Sequence, residues 1–538
     1  MWTRISFNLV KLIIMFRMRR SILVFLLSVL ISKSYGDRIL AVIPTASISH
    51  QVVFRPLTQE LARRGHEVTI ITPNPAFTTE DRPENLTEID VHDVTYTYLK
   101  PSLEKLNERF GSRETIFKVI EGLSTMMGKF VEIQVQSEPV QNLINNTDKD
   151  YFDLLLIEAC GRQYISFSHL FNAPVVLGSS FGMMLGNAEI IGAPNHPFLY
   201  PPSMRQRLLN LTFWDKVSEL YTHYRLMNFW YSQETKEREV YVKYFGEDMP
   251  TYDELYNKVD MLFLNIHPLW SNRQPLPPNV VSMWGIHKNP EKPLPKEIQS
   301  YLDSSKNGVV YLSFGSNARS SQLPKETIQM FLNVFAKLPY EVLWKWETNE
   351  LPGKTDNVKT AQWLPQSDLL RHPNIKLFIT QGGLQSTDEA ITAGVPLVGI
   401  PMLGDQWYNV ELYEYHKIGQ ALYMETITEE KLLHAIHTVI DNISYKENVI
   451  KLRELLNDQP ESPLERSVWW IEYVLRHGGA KHLRAPNANM PMYEFYEIEF
   501  LLKLTALVLL SCVVLIATLY YMYVGLTLGL RKPKLKSC

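Results

Sequence analysis

Short apolar runs recur along the chain, separated by longer stretches in which apolar positions return at helical spacing. Residues 38–44 (RILAVIP) read as a strand, 45–50 as a polar loop, and 52–64 as a helix closed by Gly65 at its C-cap. The next run, 67–72 (EVTIIT), is apolar enough to be buried on both faces. Strand, helix and strand at this spacing make a βαβ unit with a parallel sheet. Further strands are expected at 153–157 and 174–178. A second alternation then begins, with a strand at 308–314, a helix at 324–337, and strands at 341–346, 375–380, 397–400 and 420–424. The pattern predicts an α/β chain of two doubly wound, Rossmann-like halves, whose ligands belong in the cleft at the carboxyl ends of the strands.

Between the halves the pattern changes. From 181 to 244 it becomes long, aromatic and basic, and Arg205, Arg207, Trp214 and Trp230 lie in a stretch suited to a membrane surface, an apolar pocket wall or an ordinary core-facing helix pair. Prolines then crowd together at 268, 275, 277, 278, 290, 293 and 295, which is linker composition. The expected layout is a first domain at 37–275, a linker at 276–296 and a second domain at 297–480.

The two ends read differently from the body. Lys11, Arg17, Arg19 and Arg20 precede the run SILVFLLSVLIS, and small residues follow near Gly36, so residues 1–36 read as a signal peptide, with Met15 or Met18 as alternative starts. After a juxtamembrane segment at 481–499, residues 500–523 are nearly all apolar and long enough to span a bilayer. Arg531, Lys532, Lys534 and Lys536 in the tail 524–538 place that end in the cytosol and the body in the lumen. Lys534 and Lys536 also match a dilysine retrieval pattern for the endoplasmic reticulum.

Composition narrows the partners. A net charge of -3 over 538 residues gives no footing for a nucleic-acid surface, so no nucleic acid is expected, and a homo-oligomer is compatible with the sequence. Of 3 cysteines, only Cys160 falls in the lumenal body, which therefore has no internal disulfide. Asn85, Asn145, Asn210 and Asn442 head glycosylation sequons.

The chemistry concentrates in 363–406, WLPQSDLLRHPNIKLFITQGGLQSTDEAITAGVPLVGIPMLGDQ. A buried strand runs into Gly382 and Gly383 and then a helix, whose free amino-end N–H groups and dipole suit a diphosphate. Gln381, Gln385 and Ser386 can donate to phosphate oxygens, and no Walker lysine is present. Ser386 and Glu389 also fit a capping box, which would make them structural. Trp363 and Gln366 suit stacking on a base and reading its edge, while Asp405 and Gln406 suit sugar hydroxyls.

This segment resembles the signature of UDP-glycosyltransferases. The likeness extends along the chain through Ser313 to Ser316, Trp469, Trp470 and the membrane tail, with an insect-like flavour. It implies the GT-B fold and inverting transfer of a sugar, glucose preferred, from a UDP-sugar to a small lipophilic acceptor, serving detoxification or hormone or pigment conjugation. It implies neither metal nor cofactor. Trp363 would stack on uracil, Gln366 would bond to it, and Glu389 would hold the ribose. Ser316, Gln381, Gly383, Gln385 and Ser386 would meet the diphosphate, with Asp405 and Gln406 on the sugar. His50 would be the base and Glu158 its carboxylate partner. Many relatives carry histidine where Gln381 stands and aspartate where Glu158 stands. The rival readings are a non-catalytic lipophile binder on the same scaffold and a transferase using UDP-glucuronate or a lipid acceptor.

Overall fold

The computed structural model describes residues 36–529 apart from 79, 108–110, 112–115, 289 and 317. The expected signal peptide, but for Gly36, and the tail from 530 with Lys534 and Lys536 lie outside the described residues. Two compact units divide the chain, the first ending at Ala485 and the second beginning at Pro486.

In the first unit, strands β1 (Arg38–Val42), β2 (Glu67–Thr72), β3 (Leu86–Asp90), β4 (Leu154–Glu158), β5 (Val175–Ser179), β6 (Val259–Leu264) and β7 (Val280–Ser282) form one sheet in the order β3-β2-β1-β4-β5-β6-β7. Every neighbouring pair is parallel. Every residue of β4, β5 and β6 is buried, as both faces are covered by helices. Three helices matter for the site: α1 (Ile48–Arg63), α2 (Ile116–Val135) and α3 (Phe213–Ser232).

The second sheet contains β8 (Val309–Ser313), β9 (Glu341–Lys345), β10 (Val358–Ala361), β11 (Ile375–Thr380), β12 (Leu397–Gly399) and β13 (Gly419–Ala421), ordered β10-β9-β8-β11-β12-β13 and again all parallel. Around it lie the short helix α4 (Gln366–Leu370), α5 (Leu384–Ala393) and α6 (Gln406–Tyr415). One apolar cluster runs through Leu40, Trp270, Phe378 and Tyr413, so the core is continuous across the halves.

Strand order reverses between β1 and β4 in the first sheet and between β8 and β11 in the second. These are the switch points at which loops diverge and leave a crevice. Register levels the strand ends there. Val42 pairs with Ile157, and Thr380 pairs with Ser313.

Two boundaries differ from expectation. Strand β7 falls inside the expected linker 276–296, because the apolar Val281 extends the first sheet by one edge strand despite the surrounding prolines. Helix α7 (Pro463–His477) buries Val468, Ile471 and Val474 among residues of the first sheet, so the chain crosses back before the second domain's expected end at 480.

In the second unit, α8 (Ile498–Gly529) extends the expected span of 500–523 at both ends. Residues Ile498–Leu528 contain an 18-residue stretch with a mean hydropathy of 2.6 and, by length and composition, form a candidate membrane span. At 1.5 Å per residue the helix is about 48 Å long, more than the ~30 Å hydrocarbon layer.

Candidate active site

At the first switch point Ser47 is the N-cap of α1, which starts at Ile48. His50 therefore stands in the first helical turn and not in the expected loop. Its Nδ1 lies 2.5 Å from Glu158 Oε1, at the last residue of β4. The carboxylate is 1% exposed, and its other oxygen accepts the Thr45 N–H at 3.2 Å. Since Glu158 as a carboxylate can only accept, Nδ1 carries the proton and Nε2 keeps its lone pair. Ser180 Oγ, just past β5, shares Nδ1 at 3.1 Å, and the Phe181 ring packs edge-on with centroids 4.9 Å apart. Cys160 lies close by, its ligand atom within 4.8 Å of those of His50 and Glu158. Burial, then the negative charges of Glu158 and Asp405, push the Cys160 thiol up, so it stays protonated and is no nucleophile.

At the second switch point β11 ends in Gln381, Gly382 and Gly383. Gly382 adopts φ +87, and Gly383 is the N-cap of α5. The capping box of Ser386 and Glu389 does not form, because the helix begins at Leu384 and places Ser386 inside its first turn. Both side chains instead face α4. Gln366 Nε2 donates to Ser386 Oγ at 2.9 Å and to Glu389 Oε2 at 2.7 Å, and its Oε1 accepts from the Tyr311 hydroxyl at 3.1 Å. Burial raises the Glu389 carboxyl, opposed mainly by this bond from Gln366.

The remaining expected residues surround that turn. Gln385 Nε2 donates across the cleft to the Ser180 carbonyl at 3.2 Å. Gln381 is buried, with its Oε1 lacking a partner among the described residues, and a Cβ on Gly315 would come within 2.4 Å of its Nε2. Trp363 is 70% exposed, and Ser316 is also exposed. Gln406 Oε1 accepts the N–H groups of Met402 and Leu403 at 2.8 and 2.7 Å, so its carbonyl shapes the loop. Asp405 Oδ2 accepts from Asn409 Nδ2 at 2.8 Å.

Every expected site residue except Glu158, which lies behind His50, lines one cavity of about 620 Å³. Apolar side chains of α2 and α3, among them Met127, Phe130 and Leu226, form its far wall. The aromatic stretch is thus divided: Arg205 and Trp230 line the cavity, while Trp214 is 75% exposed on the outer face of α3.

A buried imidazole and carboxylate at one switch point thus face an open helix amino end at the other, across an apolar chamber. The model of the UDP-glucoronosyl and UDP-glucosyl transferase family matches residues 38–530. The chain belongs to that family. An ecdysteroid UDP-glucosyltransferase of Spodoptera littoralis nuclear polyhedrosis virus is 35% identical over 499 residues, covering 89% of this chain and 96% of the viral protein. Human UDP-glucuronosyltransferase 2B15 is 30% identical over 88% of this chain and 91% of its own length. Among solved structures, a UDP-glucosyltransferase from Polygonum tinctorium superposes with a TM-score of 0.55 at 16% identity, covering 82% of this chain and 99% of that one, which shows the shared GT-B fold.

The site of this UDP-glycosyltransferase also contains residues that sequence reasoning missed. Ser180 follows β5 at the same sheet edge as Glu158, so the rule that ligands bind at the carboxyl ends of parallel strands would have pointed to it. Asn409 lies one helical turn after Asp405. Its Nδ2 also donates to the Gly382 carbonyl at 2.9 Å, and its Oδ1 accepts from Trp270 Nε1 at 2.9 Å, which ties the glycine turn to the first half.

Burial is the main reason the Asp405 carboxyl is pushed up from 3.8 to about 6, with Asn409 opposing. Between those values the folded state binds more protons than the unfolded state, so stability falls as pH rises through about 6. Above it, the buried charge costs up to about 3 kcal/mol. Asp405→Asn is expected to stabilise the enzyme by about 1–3 kcal/mol at pH 8, with a smaller gain at pH 5, while lowering activity. Urea midpoints at the two pH values test this; an equal or negative change at pH 8 would refute it.

Proposed function

We propose that this enzyme transfers glucose from UDP-glucose, with inversion, to a hydroxyl of a small lipophilic acceptor. The observation that carries the reading is the buried His50–Glu158 pair, with Nδ1 and Oε1 2.5 Å apart at the edge of the cavity that Gly383 and α5 also line. His50 Nε2 takes the acceptor proton as the acceptor oxygen attacks the anomeric carbon from the face opposite UDP. The bond to the β-phosphate oxygen breaks, and the N–H groups at the start of α5 receive the charge on the leaving UDP. Glu158 orients the imidazole and stabilises the imidazolium. An α-linked donor gives a β-glycoside.

On the donor side, Trp363 stacks on uracil and Gln366 reads its edge. Glu389 holds the ribose diol, and Ser316, Gln381, Gln385 and Ser386 bond the diphosphate. Asp405 and the Gln406 amide hold the sugar. The reading assigns no metal: the helix amino end meets the diphosphate charge. Glucose and a lipophilic polycyclic acceptor are supported by the names of the viral ecdysteroid UDP-glucosyltransferases and by the apolar far wall. We further place the enzyme in the endoplasmic reticulum, anchored by α8 with its catalytic halves lumenal.

Incubating the full chain with UDP-glucose and a panel of phenols and steroids should release UDP at a rate that a chelator changes by less than twofold. UDP release at background for every acceptor would establish a binder in place of a transferase, and faster release with UDP-glucuronate would reassign the donor. Trp363→Ala is expected to raise the KM for UDP-glucose about tenfold with kcat nearly unchanged, because stacking on a base stabilises ground and transition states alike. A loss confined to kcat would remove Trp363 from the uracil site.

A further inference from the structure

One wall of the cavity holds a charged cluster that the donor and proton chemistry leave unused. Arg205 lies in the loop before α3, and Glu219, Thr222, His223, Leu226 and Trp230 recur along one face of α3 toward the cavity. The Arg205 side chain is 6% exposed, and its Nε faces Glu219 Oε2 at 2.8 Å. Nη1 donates to the Pro197 carbonyl, whereas Nη2 is buried with no partner among the described residues. A buried guanidinium donor without a partner is a costly arrangement that a polar ligand atom can relieve. Around it the wall is apolar, built from Ile120, Met184, Met204 and Leu226.

Another polar side chain of the chamber, Gln163, has its amide donors committed, while its Oε1 is buried without a partner among the described residues. Gln163 Nε2 donates to Ser124 Oγ and to Glu237 Oε1, each at 2.9 Å, and Glu237 in turn pairs with Arg162. The Arg205 charge is offset by Glu219 and, further off, by Glu411, and burial, followed by the charges of Arg205 and His196, lowers the His223 pKa and keeps that ring neutral. A carboxylate there would meet Glu219, whereas a hydroxyl or ketone oxygen can accept from Arg205 without adding charge.

We propose that Arg205, Glu219 and His223 form a second polar station in the acceptor chamber, and that preferred acceptors are lipophiles carrying a distal neutral oxygen besides the hydroxyl offered to His50. The proposal rests on the reading of this cavity as the acceptor site. It makes the cluster a determinant of selectivity: an acceptor lacking the distal oxygen leaves the Arg205 donor unmet, and one carrying a carboxylate opposes Glu219.

The test uses full-length enzyme with UDP-glucose and acceptor sets that differ only at the far end. One set is estradiol, estrone and the analogue without the ring-D oxygen; the other is a biphenyl phenol carrying a distal hydroxyl, hydrogen or carboxylate. Transfer to the shared phenol is scored as a ratio of kcat/KM within each set. The wild-type ratio of neutral-oxygen acceptor to its deoxy analogue is expected to reach at least about tenfold in one set, with the carboxylate poorest. In Arg205→Met, Glu219→Gln and His223→Phe that ratio should fall to within about twofold of unity. Should Arg205→Met fail to fold, the other two variants read the same ratio. Wild-type ratios near unity in both sets, or a ratio retained in all three variants, would overturn the proposal. Absence of UDP release with every acceptor, simple phenols included, would count against the transferase reading alone; the ratio of dissociation constants for the same sets, measured with UDP bound, then decides the station.

Discussion

His50→Ala is expected to lower kcat by about three to four orders of magnitude while UDP affinity stays within about twofold. The reason is spatial. His50 is tied to Glu158 Oε1 and Ser180 Oγ in the first half, whereas the residues proposed for UDP belong to the loop after β8, the turn into α4, the turn after β11 and α5. Removing the imidazole therefore takes away the proton acceptor and leaves the proposed uracil, ribose and diphosphate contacts in place. Glu158 keeps the Thr45 N–H but loses its Nδ1 partner while staying buried, so some loss of stability is expected too, and a thermal midpoint separates that from the chemical defect. Glu158→Gln sharpens the test. An amide can donate to Nδ1 and so favours the tautomer with its proton on Nε2, which cannot act as base; turnover should fall steeply although the ring is still held. Calorimetric UDP titrations and single-turnover transfer measure both variants. Retained turnover in either variant would remove His50 as the base.

Legibility followed the range of the contacts. Strands β2 and β11 match the expected 67–72 and 375–380 to the residue, because buried parallel strands show as continuous apolar runs. Strands β3 and β10 were missed because they are edges: in β3 only Leu86 is buried, and in β10 only Val358, whereas β6 was missed although it is fully buried inside the sheet. Strand β7 was hidden by the prolines around it. The donor side was readable because 363–406 forms one strand-turn-helix edge whose members are close in sequence. Even there the rival capping-box reading of Ser386 and Glu389 fails, since the helix starts at Leu384 and Gln366, 20 and 23 residues earlier in the chain, bonds both side chains. The acceptor wall was unreadable for the same reason carried further. Arg205 reaches Glu219 along a loop and helix, but the chamber they share is closed by Ile120 on α2 and by Met184, contacts that no local spacing announces.

Gly382→Ala is the substitution outside the proton chemistry with the largest expected effect, a loss of about 2–4 kcal/mol of stability together with donor binding. Two independent costs meet at this position. The residue holds φ +87, a conformation that costs an L side chain about 1–2 kcal/mol. A Cβ there would also stand 2.4 Å from Val410 Cγ2 and 3.1 Å from the Gln406 carbonyl oxygen. Val410 is fully buried in α6, whose next turn back carries Asp405 and Gln406, so the methyl group cannot be accommodated without moving that helix. The Gly382 carbonyl is held by Asn409 Nδ2, so the same movement would strain the bond linking the turn to Asp405. At Gly383 the surroundings differ. Its backbone is extended, and the nearest atom to an added Cβ is Gln381 Nε2 at 3.7 Å, which leaves the approach to the helix amino end open. Gly383→Ala should therefore fold normally and raise the KM for UDP-glucose by crowding the diphosphate. Adding Val410→Ala to Gly382→Ala should recover the part due to the clash and leave the φ cost, about 1–2 kcal/mol, unrecovered. Urea denaturation of the three variants measures this, and a Gly382→Ala protein as stable as wild type would show that α6 yields and that the glycine turn is not set by its packing.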